Sequence, residues 1–112
     1  MRHLTSALFL VSPLIVLAAE PSAQALAQKK GQLMQTTQIA AVTELTVPSR
    51  EYKSDGDPET LEVVFLDSKK DGPSRVSEDG EVIFLYKASD RKQQALIDRA
   101  FEIRARRALN ES

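Results

Sequence analysis

The stretch DSKKDGPSRVSE, Asp67 to Glu78, is twelve residues long, with Asp first, Gly sixth and Glu last. Those are anchor positions of a calcium-binding EF-hand loop, which also wants oxygen ligands at its third and fifth places. Here the fifth place is Asp71 but the third is Lys69, with Lys70 beside it. A Lys at a ligand position puts a positive charge where the cation should sit. The flanks carry strand patterning where an EF-hand needs helices. A plain connection accounts for every residue: Asp71-Gly72-Pro73 turns the chain, Arg75-Val76 pairs briefly, and Asp79-Gly80 turns it again into the next strand. A second acidic group, Asp55, Asp57 and Glu59 in SDGDPE, has enough carboxylates for a weak calcium site. Without a second ligand cluster it is expected to be a solvated acidic turn and, at most, a contact surface. No metal and no cofactor is expected.

The residues that are missing say more. The chain has no Cys and no Trp, and its one histidine is His3. His3 lies in a segment with the layout of a secretory signal peptide: Arg2 and His3, an apolar run of 13 residues from Ala7 to Ala19, then small residues at Ala23, Ala25 and Ala27. The run is shorter than the roughly 20 apolar residues of a membrane-spanning helix, and Pro13 interrupts it. A cleavable leader over residues 1–27 is therefore expected, cut after Ala25 or Ala27, with no stable membrane span afterwards. The exported product is expected in the periplasm or outside the cell. It lacks His, so zinc sites built on His or Cys, Ser–His and Cys–His nucleophilic pairs and thiol redox chemistry are excluded for it. A carboxylate-based hydrolase needs two acids across a cleft. Glu44, Glu51, Glu62 and Glu81 are available, but no pattern singles any of them out.

Charge is uneven along the chain. Residues 44–81 carry five basic residues against eleven acids, and residues 88–112 carry six against four. The acidic part would repel phosphate backbones, and no aromatics interleave with the basic residues, so nucleic acid is not an expected partner. Arg104, Arg106 and Arg107 close the basic segment, where positive charge suits a helix C-terminus. The sequence offers them, with Asp55, Asp57 and Glu59, as contact residues between copies of the chain or with another protein.

The elements that must position these residues follow from periodicity. Residues 28–37 are polar, contain Gly31, and are expected to be a flexible lead-in. A single small domain is expected over 38–112. Gln38 to Pro48 is rich in β-branched residues and is expected to be a strand. Thr60 to Asp67 and Glu81 to Ala88 alternate, with Leu61, Val63 and Phe65 facing away from Val64 and Leu66, and Val82, Phe84 and Tyr86 facing away from Ile83 and Leu85. Both strands are apolar on both faces, which predicts a cover on each. One cover is a C-terminal helix, with Asp90 as N-cap, Gln93 as capping-box partner, and Glu102 and Arg106 paired at i,i+4. Leu96, Ile97, Ala100, Phe101, Ile103 and Ala108 form its apolar stripe. The second cover is expected to be residues 28–41 or another chain.

The fold expected is α+β: a small antiparallel sheet of about three strands, with a β-hairpin at its centre, on one long amphipathic C-terminal helix. About 85 residues without disulfides make a thin core, which favours oligomerisation or a partner. The function expected is a non-enzymatic interaction or assembly module. The alternatives are a monomeric ligand-binding or inhibitor protein and, behind it, a hydrolase.

Overall fold

A computed structural model describes residues 20–66 and 72–111. In chain order they form helix α1 (Ala23–Thr36), strand β1 (Gln38–Val42), a 3-10 turn (Ser49–Glu51), strands β2 (Thr60–Phe65), β3 (Arg75–Val76) and β4 (Val82–Leu85), and helix α2 (Asp90–Glu111). The fold is α+β, with a four-stranded mixed sheet and two helices. The sheet order is β1-β2-β4-β3. β1 pairs parallel to β2 and β2 parallel to β4, while only β3 runs antiparallel to β4.

This corrects the expected antiparallel sheet of about three strands. The two apolar strands β2 and β4 are adjacent but do not form a hairpin. The chain leaving β2 crosses to the outer edge, returns as the two-residue β3, and β4 fits between them. The true tight turn is Ser77 to Gly80, closed by the Gly80 N–H on the Ser77 carbonyl (3.1 Å). The calcium-like stretch is part of this crossover. Asp67 to Asp71 lie outside the described residues. Arg75 and Val76 pair with Phe84 and Ile83 as expected.

The alternation of β2 and β4 sorts two apolar clusters onto the two sheet faces, as the sequence indicates. On one face Leu61, Val63, Ile83 and Leu85 pack with Ala100 and Phe101 of α2. On the other, Val64, Leu66, Val82 and Phe84 pack with Val42, Leu45, Tyr52 and Tyr86. The second cover is thus neither residues 28–41 nor another chain. It is the connection between β1 and β2, which lays Leu45 and Tyr52 across the sheet. A parallel pair needs a crossover of a dozen or more residues, and here the crossover doubles as a lid.

The segment expected to be a flexible lead-in is most of α1. Its N-cap is Ser22, whose hydroxyl accepts from the Ala25 N–H at 3.0 Å. Leu33 packs on the first cluster and Lys30 pairs with Asp98 of α2. Gly31, with open space around it, costs this helix something like 1 kcal/mol relative to Ala, which contact with α2 offsets.

The start of α2 also differs from expectation. Ser89 is the cap, its hydroxyl accepting from the Lys92 N–H at 3.2 Å, and the Gln93 amide donates to the Ala88 carbonyl at 2.9 Å. Ser89 stands one residue before the first helical residue, Asp90, so its hydroxyl is placed at the free N–H groups of the first turn. Glu102 pairs with Arg99 at i,i+3 (3.4 Å) and not with Arg106, which pairs with Glu20. Along α2 the buried residues are Ala100, Phe101, Arg104 and Ala105.

Gly80, in the turn between β3 and β4, lies directly against α2. It has φ +74°, and a Cβ built on it would lie 2.9 Å from the Ala100 carbonyl oxygen and 3.0 Å from Arg104 Cγ. Gly56 also has a left-handed φ, +80°, but nothing lies within 4 Å of its Cβ position. Gly80→Ala is expected to cost about 2–4 kcal/mol from strain plus overpacking, against roughly 1–2 kcal/mol for Gly56→Ala from strain alone. Urea denaturation of the two variants checks the difference.

Candidate interaction surfaces

The residues singled out by charge do different jobs. Arg104 is 8 % exposed. Its Nη1 donates to the carbonyls of Thr60 and Gly80, both at 3.4 Å, and its Nη2 to the carbonyl of Pro58. It is an internal clamp between α2 and the entrances of β2 and β4. Burial presses its pKa below the ordinary arginine value, against the opposing charges of Glu81 and Asp79. Arg107 donates to the Asp79 carbonyl at 3.1 Å and lies 3.8 Å from carboxylate oxygens of Glu81 and Glu111. Arg106 reaches Glu20 of the α1 approach. The basic end of α2 therefore meets acidic loops of its own chain.

The acidic turn is also held from within. Asp57 caps the entry to β2, accepting from the Glu59 N–H at 2.9 Å and the Thr60 hydroxyl at 3.0 Å. Asp55 uses its N–H to bond Glu62 at 2.9 Å. Among the described residues no group of three acids, His or Cys is placed to hold a metal ion, and Asp55, Asp57 and Glu59 are exposed.

Glu62 was not distinguished by the sequence, yet it organises one side of the molecule. It is the one charged residue on β2, on the face of Val64, and is 5 % exposed. One carboxyl oxygen accepts from the Tyr52 hydroxyl and the other from the Asp55 N–H. Tyr52 in turn stands edge-on to Phe84, with ring centroids 6.3 Å apart. Glu62 thus pins residues 52–55 over the second apolar cluster. The signal was available: a lone carboxylate inside an otherwise apolar strand needs buried donors.

The remaining surface of note is the free edge of the sheet. Among the described residues β1 is hydrogen-bonded only to β2, and its residues Gln38, Ile39, Ala40 and Ala41 are exposed. The strand carries no charge, no Pro and no Gly. Ile39 is 52 % exposed, and Met34 just before it on α1 is 47 % exposed. No described helix is long and apolar enough to cross a membrane. No protein-family model, no curated protein and no solved structure matches this chain.

The hydrogen bond to Glu62, followed by burial, pushes the Tyr52 hydroxyl up to about 12 from an ordinary 10. A raised folded-state value means that the stabilisation is complete below pH 10 and is lost as pH rises toward 12. Chemical denaturation across this range is expected to show that loss in the native chain and a flatter profile in Tyr52→Phe. At neutral pH the same variant is expected to lose about 1–3 kcal/mol, because a buried carboxylate gives up a donor.

Proposed function

We propose that this chain is an exported, non-enzymatic assembly module that pairs with a second copy of itself through the edge of β1. The observation that carries the reading is the unguarded edge strand. Natural sheets blunt their edges with charges, Pro, bulges or a covering element, because a bare edge is a template for another strand. β1 has none of these in its sequence, and four of its five residues are exposed.

The composition of β1 favours its own copy as the occupant. In an antiparallel pair centred on Ala40, Gln38 faces Val42 and the large Ile39 faces the small Ala41. No like charges meet, since the strand contains none. Cross-strand pairs of this kind stabilise a sheet by a few tenths of a kcal/mol to about 1 kcal/mol each. A five-residue strand with Met34 and Ile39 beside it gives an interface at the small end of the range, so the dimer should dissociate on dilution.

Static light scattering after size-exclusion chromatography tests this on the exported chain, after leader removal, over a range of concentrations. The expected result is a mass that rises from monomer toward dimer with concentration. Ala40→Lys, which places two cations face to face at the centre of the pair, should hold the chain at monomer mass, while Ala40→Gln, an uncharged side chain at the same position opposite Glu62, should still dimerise. A chain monomeric at all concentrations, or a dimer indifferent to Ala40→Lys, would overturn the reading.

A further inference from the structure

After the 3-10 turn the chain runs through Tyr52, Lys53, Ser54 and Asp55 and then turns at Gly56, whose φ is +80°. Tyr52 has φ −71° and ψ 135°, an extended conformation. Exposure then alternates as it does along an extended strand: Tyr52 and Ser54 are half-buried, while Lys53 and Asp55 are exposed. Lys53 makes no ion pair among the described residues.

The residues on both sides of Lys53 are held from beneath. On one side Tyr52 donates its hydroxyl to Glu62 and stands edge-on to Phe84. On the other, the Ser54 hydroxyl donates to Glu81 at 2.9 Å, and the Asp55 N–H donates to Glu62 at 2.9 Å. Glu62 therefore grips the chain before and after Lys53, with one carboxyl oxygen for each side. Proteases take their substrates as extended strands and read the side chain before the cut bond in a primary pocket. A carboxylate in that pocket selects a cation. The other exposed cations of the described residues do not offer this geometry. Arg50 is curled into the 3-10 turn, Arg91, Lys92, Arg99 and Arg107 are helical, and Lys87 has left-handed backbone with φ 44°.

We propose that residues 52–55 are the reactive segment of an inhibitor of serine proteases whose primary pocket holds a carboxylate, with Lys53 in that pocket and Lys53–Ser54 as the bond presented. The protease serine oxygen adds to the Lys53 carbonyl carbon, the bond to the Ser54 nitrogen breaks, and the serine proton passes through the protease histidine to that nitrogen. From an ordinary substrate the new amine diffuses away. Here Ser54 and Asp55 stay tied to Glu81 and Glu62, so the amine remains beside the acyl carbon. It attacks that carbon, the proton returns to the serine oxygen, and the peptide bond is restored. A segment fixed before binding also gives up little entropy on docking. Inhibition does not depend on pairing at β1, which lies at the edge of the sheet beyond β2.

Inhibition of trypsin by the exported chain, with a chromogenic peptide as reporter substrate, tests the proposal. Competitive inhibition that persists on incubation is expected. It should be retained in Lys53→Arg and weakened about 30-fold or more in Lys53→Gln, as for loss of a central contact. Lys53→Leu is expected to move the inhibition from trypsin to chymotrypsin, whose primary pocket is apolar. Absence of trypsin inhibition overturns the proposal. So does inhibition unchanged in Lys53→Gln, rapid cutting of the native chain at Lys53–Ser54 that ends the inhibition, or a Lys53→Leu chain without effect on chymotrypsin.

Discussion

One guanidinium holds the architecture together. Arg104 takes the carbonyls at the entrances of β2 and β4 and ties both to α2. A charge this deep is tolerated only when its donors are met, and here backbone oxygens meet them. The close approach requires a residue without a side chain at the strand entrance, which is Gly80 with its left-handed backbone. The residues 104 and 80, one large and one minimal, set the distance between helix and sheet, and the Leu61–Ile83–Phe101 core is packed at that distance.

The second face is built on a different plan. No helix covers it. A connection of irregular backbone lies across Val64 and Phe84, and its polar groups are satisfied by a carboxyl set within the strand below. Glu62 serves that connection as Arg104 serves α2: each is a charged side chain placed in an apolar surface to catch donors or acceptors of a neighbouring segment. Covering both faces from within one short chain leaves the edges as the surfaces open to a sheet-type contact. Of the two, β3 is only two residues long, which leaves β1 as the longer free edge.

Much of this was legible from residue order. The alternation of Leu61 to Leu66 and Val82 to Tyr86 gave the correct faces, the brief pairing of Arg75 and Val76 was visible between two turns, and the length of α2 followed from its lack of Gly and Pro. Strand direction was misread: runs apolar on both faces are the mark of parallel strands covered on both sides, whereas the turn residues between β2 and β4 suggest a hairpin. α1 was hidden by Gly31 and its polar composition, since its support comes from α2 and not from its own propensity. Arg104 was placed with its basic neighbours by charge. Its spacing from Ala100 and Phe101 put it inside the buried stripe, and period was the better guide. Glu62 lay among eleven acids of the central segment, and only its position within an apolar strand set it apart.

The unequal covers give the molecule two layers of different lifetime. α2 is fastened by buried carbonyl bonds and interlocked apolar side chains. The β1–β2 connection rests on the sheet through Leu45, Tyr52, the two bonds to Glu62, and single side-chain bonds from Arg75 to Ser49 and from Ser54 to Glu81. Local opening draws first on the segments with fewest buried contacts. The least costly excursion from the native state is therefore a lifting of residues 43–56 while the helical layer, and the Pro58 carbonyl held by Arg104, stay in place. Amide protons of β2 and β4 would then be reached by solvent from one side only, and a protease would find its first cut in that connection. A chain caught in this half-open form displays Val64, Val82 and Phe84 together, a surface that it must cover again faster than it meets another like it.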